Sequence, residues 1–205
     1  MEPQGAVGEP QDTSSPASGS TSEGPAPQHP ETNADGTLAI AHPDLEGLHP
    51  NAQKVALALA GLGVAGQVRA LPEPAPTAAT AAAQLGVGVG AIANSLVFDA
   101  DGQPLLVLTS GAHRADTVLL AAICGAQKVS RATPDFVRSA TGQPIGGVAP
   151  VGHPSPLRTI VDVELSRYDV VWAAGGHPHY VFPTTYDELL RITAGEAAEV
   201  GEQPG

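Results

Sequence analysis

A single cysteine, Cys124, in a chain of 205 residues rules out an intrachain disulfide and any cysteine-based metal cluster. Aromatic residues make up only 3% of the chain, so Val, Leu and Ala must build most of its core. Lys and Arg number 9 against 21 acidic residues, a formal charge of -12, which argues against wholesale nonspecific binding to nucleic acid. The chain does not open on a basic region followed by an apolar run, so no signal peptide is indicated. Residues 74–98 carry no charged side chain. Ala, Thr, Gly, Gln84 and Asn94 dominate there, and large apolar residues are too few for a membrane span. These absences point to a reducing, cytoplasmic setting with no membrane partner.

The charge that is present is unevenly spread. Residues 1–45 hold seven acids (Glu2, Glu9, Asp12, Glu23, Glu31, Asp35 and Asp44) and no Lys or Arg. Their Pro, Gly, Ser and Thr content cannot bury enough apolar surface to offset ordering entropy, so they are expected to form a disordered acidic leader. Residues 46–195 are expected to form one domain, and residues 196–205 a loose acidic tail. Within the domain, residues 113–167 carry six basic residues against four acids, a faint positive field that suits either a phosphate or a mixed solvated surface.

Patterning divides the domain further. Val55, Leu57, Ala58, Leu59 and Leu62 mark an amphipathic helix that ends near Gly61 or Gly63. Residues 67–71 alternate as a strand, which Pro72 and Pro74 stop. Thr77 caps a helix over 78–85, and Gly86 ends it. Residues 91–98 and 104–109 form a hairpin across Asp99-Ala100-Asp101-Gly102. A helix over 116–124, a short extended piece at 128–130 and a helix from Thr133 to about Ser139 follow. Strands are expected at 157–163, 170–174 and 180–182, with Thr185 capping a last helix over 186–192. Hairpins mixed with helices imply a mixed α/β (α+β) domain.

The stretch from Ser139 to Gly152 stands apart. Gly142, Pro144, Gly146, Gly147, Pro150 and Gly152 exclude a helix or strand interior, yet Ile145, Val148 and Val151 are apolar. Such a loop packs, and its amides need partners. Gly146 and Gly147 have no side chains to block a carbonyl or phosphate oxygen from reaching their N–H groups, as an oxyanion hole requires. A tight, partly buried turn fits the same residues.

Other chemistry finds little support. Gly86, Gly88 and Gly90 follow a helix, whereas a dinucleotide loop follows a strand. Cys124 lies among Ala121, Ala122 and Ile123 as a small core residue. His177-Pro178-His179 lacks a carboxylate or third histidine at ligand spacing, so no metal or cofactor is expected.

Ala93-Asn94-Ser95-Leu96-Val97-Phe98, Thr109-Ser110-Gly111, Thr141-Gly142, the GGxxPxG run from Gly146 to Gly152, and Gly175-Gly176 ahead of a final helix occur in one order and spacing. Over residues 50–193 this set resembles the YbaK/EbsC family, which includes the editing domain inserted in some bacterial prolyl-tRNA synthetases. The resemblance implies a compact, mostly antiparallel mixed sheet or barrel surrounded by helices. It also implies metal-independent hydrolysis of the ester joining a wrong amino acid to the 3′ end of a tRNA. Glycine amides of the GGxxPxG loop would cradle the acyl carbonyl, and the terminal ribose hydroxyl would help activate water. Asn94 stands where many members carry lysine, Ala174 where some carry serine, and Val181 where some carry aspartate.

The expected activity is therefore a freestanding deacylase acting in trans on mischarged tRNA, with an aminoacyl-tRNA synthetase as a further partner. Gly146, Gly147 and Asn94 are the expected catalytic groups. Ser95, Thr109, Ser110, His113, Pro150, Gly152, Gly175, Gly176 and His177 are the expected substrate contacts. The alternatives are a module that binds acylated tRNA ends or nucleotides without cleaving them, and a protein partner working through the acidic leader.

Overall fold

In the computed structural model, residues 44–202 are described; nearly all of the acidic leader expected over 1–45 lies outside them. Five helices and ten strands follow one another: α1 (Pro50–Gly61), β1 (Arg69–Ala70), α2 (Ala78–Leu85), β2 (Ile92–Ala100), β3 (Gln103–Ser110), β4 (Arg114–Ala115), α3 (Thr117–Cys124), β5 (Val129–Arg131), α4 (Pro134–Thr141), β6 (Arg158–Asp162), β7 (Val171–Ala174), β8 (Tyr180–Thr184), α5 (Tyr186–Thr193), β9 (Glu196–Ala198) and β10 (Gly201–Glu202). The main sheet runs β1-β8-β7-β2-β3-β6-β9, with β5 also on β2. It is mixed: β2 is parallel to β7, β3 to β6 and β6 to β9, and the other pairs are antiparallel.

Short-range chemistry sets these elements. Asp101 and Gly102 both take positive φ, the backbone that a two-residue hairpin between right-twisted strands needs. Asp99 accepts from the Gly102 N–H at 2.6 Å, and the Asp101 carboxylate ties the hairpin tip to the Gln127 and Lys128 amides. Thr77 and Thr80 form a reciprocal capping box on α2. Asp116, Thr133 and Thr185 cap α3, α4 and α5.

The central strand β3 is buried on both faces, Leu105 to Leu108 being almost wholly inaccessible. Leu106 and Leu108 pack with Val55 and Leu59 of α1, Val137 of α4, and Leu189 and Ile192 of α5. Leu105 and Val107 face Leu120 of α3, while Ile92, Trp172 and Val181 face Ala81 and Ala82 of α2. Helices thus cover both faces of the sheet.

The tail differs from its sequence reading. β9 pairs with β6, and β10 pairs with β4. Val200 between them is fully buried, and that burial outweighs the acidic, Gly-rich composition that suggested a loose end. The strand expected over 67–71 is limited to Arg69–Ala70.

One feature of β2 positions everything that follows. Its edge away from β3 meets β7 only at Ile92 and Ala93, and β5 only at Phe98 to Ala100. Among the described residues, positions 94–97 have no strand neighbour on that edge. β2 and β7 part there, just before Gly175-Gly176 carries the chain away.

Candidate active site

A cleft opens where β2 and β7 separate. Asn94 and Ser95 line it from β2, Trp172 to Ala174 from β7, Ala75 to Ala78 from the approach to α2, and Gly146 and Val148 from the glycine loop. Pro178, Tyr180 and Val181 complete the wall. No charged side chain lines it. The apolar part, Ala75, Ala78, Ala81, Ile92, Trp172 and Val181, suits a small uncharged group. Trp172 is braced from outside by Arg69, whose guanidinium carbon lies 4.1 Å from the ring centroid.

The glycine loop is held from behind by buried side chains. Thr141 Oγ1 donates to the Val137 carbonyl at 2.7 Å and accepts from the Gln143 N–H at 3.0 Å. Gln143 is only 3% exposed. Its Oε1 accepts from the Ala149 N–H at 2.7 Å, and its Nε2 donates to the Val151 carbonyl at 3.2 Å. His153 Nε2 donates to the Ala149 carbonyl at 2.8 Å. Burial lowers the His153 pKa against the raising effect of that bond, which favours the neutral ring.

These contacts decide which amides are free. The Gly147 N–H closes a turn onto the Pro144 carbonyl at 3.1 Å, so it is already satisfied. Among the described residues, the Gly146 and Val148 N–H groups have no acceptor, and both residues line the cleft. Val148 is only 3% exposed, and a buried amide without a partner calls for one. Gly146 takes φ +82°, a conformation that glycine adopts without strain. Gly147 serves packing: a β-carbon there would sit 2.5 Å from the His177 backbone. Gly147→Ala is accordingly expected to destabilise the fold by about 1–3 kcal/mol through overpacking, visible as a lower Tm.

The sequence-derived site residues fall into separate groups. Asn94, Ser95 and Gly146 meet in the cleft. Thr109 stands opposite Asn94 in the β2–β3 register. The Ser95 and Thr109 hydroxyls are buried with no hydrogen-bond partner among the described residues, a costly arrangement unless something else bonds them. His177 abuts Gly147 at the rim. Ser110 and His113 are engaged elsewhere. The Ser110 hydroxyl donates to the Gly90 carbonyl at 2.8 Å, while its N–H and His113 Nδ1 each lie 3.0 Å from Asp162 Oδ2. Asp162 is fully buried, and this cluster ties the end of β3 to the end of β6. Gly152 lines a second cavity behind the loop, with Lys54, Gln143 and His153. Pro150 is buried. Gly176 packs on Asn51 and Val55 of α1, and Gly175 on Val68 and Tyr180.

Sequence reasoning missed Val148 and Gln143. Val148 is an apolar residue whose relevant group is its backbone, and Gln143 is a polar residue that a loop normally leaves in water. Among the described residues, no group of three His, Cys, Asp or Glu is arranged to hold a metal ion, and no helix is long and apolar enough to cross a membrane.

A mixed sheet thus parts at its centre to form a cleft lined by no charged side chain and bordered by a braced glycine loop. Residues 72–192 match the family model of the aminoacyl-tRNA editing domain, and the chain belongs to that family. It is 35% identical over 86 residues to the proline–tRNA ligase of Nitratidesulfovibrio vulgaris strain Hildenborough, covering 42% of this chain and 15% of the ligase. It is 30% identical over 121 residues to that of Latilactobacillus sakei, covering 54% of this chain and 21% of the ligase. Among solved structures, a candidate trans-editing enzyme for prolyl-tRNA synthetase superposes with TM-score 0.70 at 40% identity, covering 76% of this chain and 99% of that one. The hypothetical protein APE2540 superposes with TM-score 0.68 at 29% identity, covering 73% and 99%.

Proposed function

We propose that the protein hydrolyses, in trans and without a metal, the ester between a small misplaced amino acid and the 3′ end of a proline tRNA. The carrying observation is the pair of amides, Gly146 and Val148, that have no acceptor among the described residues and stand at the wall of a cleft lined by no charged side chain. The acyl side chain sits against the Ala-rich wall and Trp172. The acyl carbonyl oxygen accepts from the two amides, and Asn94 or the Ser95 hydroxyl meets the amino group and ribose. Water adds to the carbonyl carbon, the amides stabilise the resulting oxyanion, and the C–O bond to the ribose breaks. The leaving ribose oxygen takes the proton that water gives up, relayed through the vicinal hydroxyl. An aminoacyl ester is already activated, so positioning and oriented N–H donors can carry the rate without a side-chain base.

The similarity to a candidate trans-editing enzyme over 99% of that chain supports action in trans, and the proline–tRNA ligase relatives support the choice of tRNA. The test is a panel of proline tRNAs charged with alanine, serine, cysteine or proline, incubated with the full chain in EDTA. Release above background for a small non-cognate acyl group, with prolyl-tRNA spared, is expected. Tight binding without release of any of them would make the protein a binding module.

We propose that Asn94 belongs to a working site. Its neighbours across the cleft are neutral, so a lysine there would bring a charge with no counter-ion among the lining residues. Asn94→Lys is expected to slow deacylation roughly fivefold, the loss of about 1 kcal/mol of neutral hydrogen bonding. A faster variant would mark Asn94 as a decayed position.

A further inference from the structure

The cleft accounts for the acyl group but not for what holds the rest of a negatively charged acceptor strand. No charged side chain lines it, and the chain is strongly acidic. At its rim, however, the imidazoles of His49 and His177 are stacked, with centroids 4.3 Å apart and planes at 28°. Tyr180, which lines the cleft, meets His177 edge-on at 6.0 Å. The pair is firmly built. His49 Nδ1 accepts from the Asn51 N–H and so caps α1, and the His49 N–H donates to the Tyr180 hydroxyl at 3.3 Å. The His177 backbone packs against Gly147, and its ring Nδ1 accepts from the His179 N–H at 3.3 Å. Burial, His49 and His179 all lower the His177 pKa, which favours its neutral ring. His49 is exposed, and its ring stacks on no other aromatic ring among the described residues.

We propose that the His49–His177 stack is a platform for the terminal nucleobase of the acceptor strand, adding a third layer on His49 while the ribose ester enters the cleft. Base–aromatic stacking provides affinity without charge, which this cleft requires. The proposal rests on reading the cleft as an acyl-ester site. It adds His49, which lies outside the cleft wall and on a different element from every group assigned above.

The probe is an uncharged acceptor-stem hairpin ending in CCA, with 2-aminopurine in place of the terminal adenine, titrated into the full chain. Stacking quenches 2-aminopurine fluorescence. Quenching on binding is expected with the native chain. His49→Asn retains a strong helix cap but removes the ring. It is expected to weaken binding roughly tenfold and abolish the quench, at an unchanged Tm. His49→Phe loses the cap acceptor and keeps a ring, and is expected to restore the quench. No binding or no quench by the native chain, native-like behaviour of His49→Asn, or loss of the quench in His49→Phe each overturns the platform. The probe has no ester, so the result does not depend on hydrolysis. Quenching without deacylation of any mischarged tRNA would retain the platform and remove the hydrolase. Deacylation without quenching would do the reverse.

Discussion

Replacing the Val148 backbone amide by an ester, through incorporation of the corresponding α-hydroxy acid, is expected to slow deacylation about a hundred- to a thousandfold, the loss of about 2.7–4 kcal/mol seen when one oxyanion donor is removed. The substitution deletes one N–H and keeps the side chain, which packs in the core with Ala149 and Val151. No hydrogen bond among the described residues is broken, because the Val148 N–H has no acceptor there. Stability should therefore change little, and the effect should fall on the single-turnover rate. The same replacement at Gly147 removes a donor that serves the Pro144 carbonyl. It should cost stability first and rate only through disorder of the turn. A Val148 ester variant that deacylates at the native rate would remove this amide from the reaction.

Gln143→Leu is expected to lower stability by about 2–6 kcal/mol, since the Ala149 N–H and Val151 carbonyl each lose a buried partner at about 1–3 kcal/mol. For a domain of this size that corresponds to a Tm fall of roughly 4–24 °C. Leucine preserves most of the volume, so the loss reports hydrogen bonding rather than a cavity. The rate should fall as well, about a hundredfold, because displacing a positioned donor by an ångström has that order of effect. Gln143→Glu keeps the acceptor for Ala149 at 2.7 Å but cannot donate to Val151, and it buries a charge. It should also be destabilised. A Gln143→Leu protein with native Tm and native rate would show that the strut is not what shapes the loop.

These two residues mark the boundary of what the sequence discloses. The β2–β3 hairpin is legible because alternation and Asp101-Gly102 specify a register locally. The caps Thr77, Thr133 and Thr185 are legible because capping is a short-range contest. The glycine loop is legible as a place where N–H groups are bare. Which N–H remains bare is decided by tertiary closure. Gly147 spends its amide on Pro144, and Val148, a buried apolar residue, is left with a donor that has no acceptor among the described residues. Ser110 and His113 lie at the end of β3, but Gly90 and Asp162, distant in sequence, take up their polar groups. The stack of His49 on His177 joins residues that no local pattern links. β9 and β10 are too short for periodicity to reveal and depend on Val200 being buried.

The most direct measurement is a crystal structure of the full chain with alanyl-adenosine linked through a 3′-amide, which cannot be hydrolysed at the native rate. The account predicts the alanyl carbonyl oxygen within hydrogen-bond distance of the Gly146 and Val148 N–H groups, with the methyl group against Ala78 and Trp172. An acyl carbonyl turned away from both amides, or the ligand lodged behind the loop beside Lys54 and His153, would contradict it.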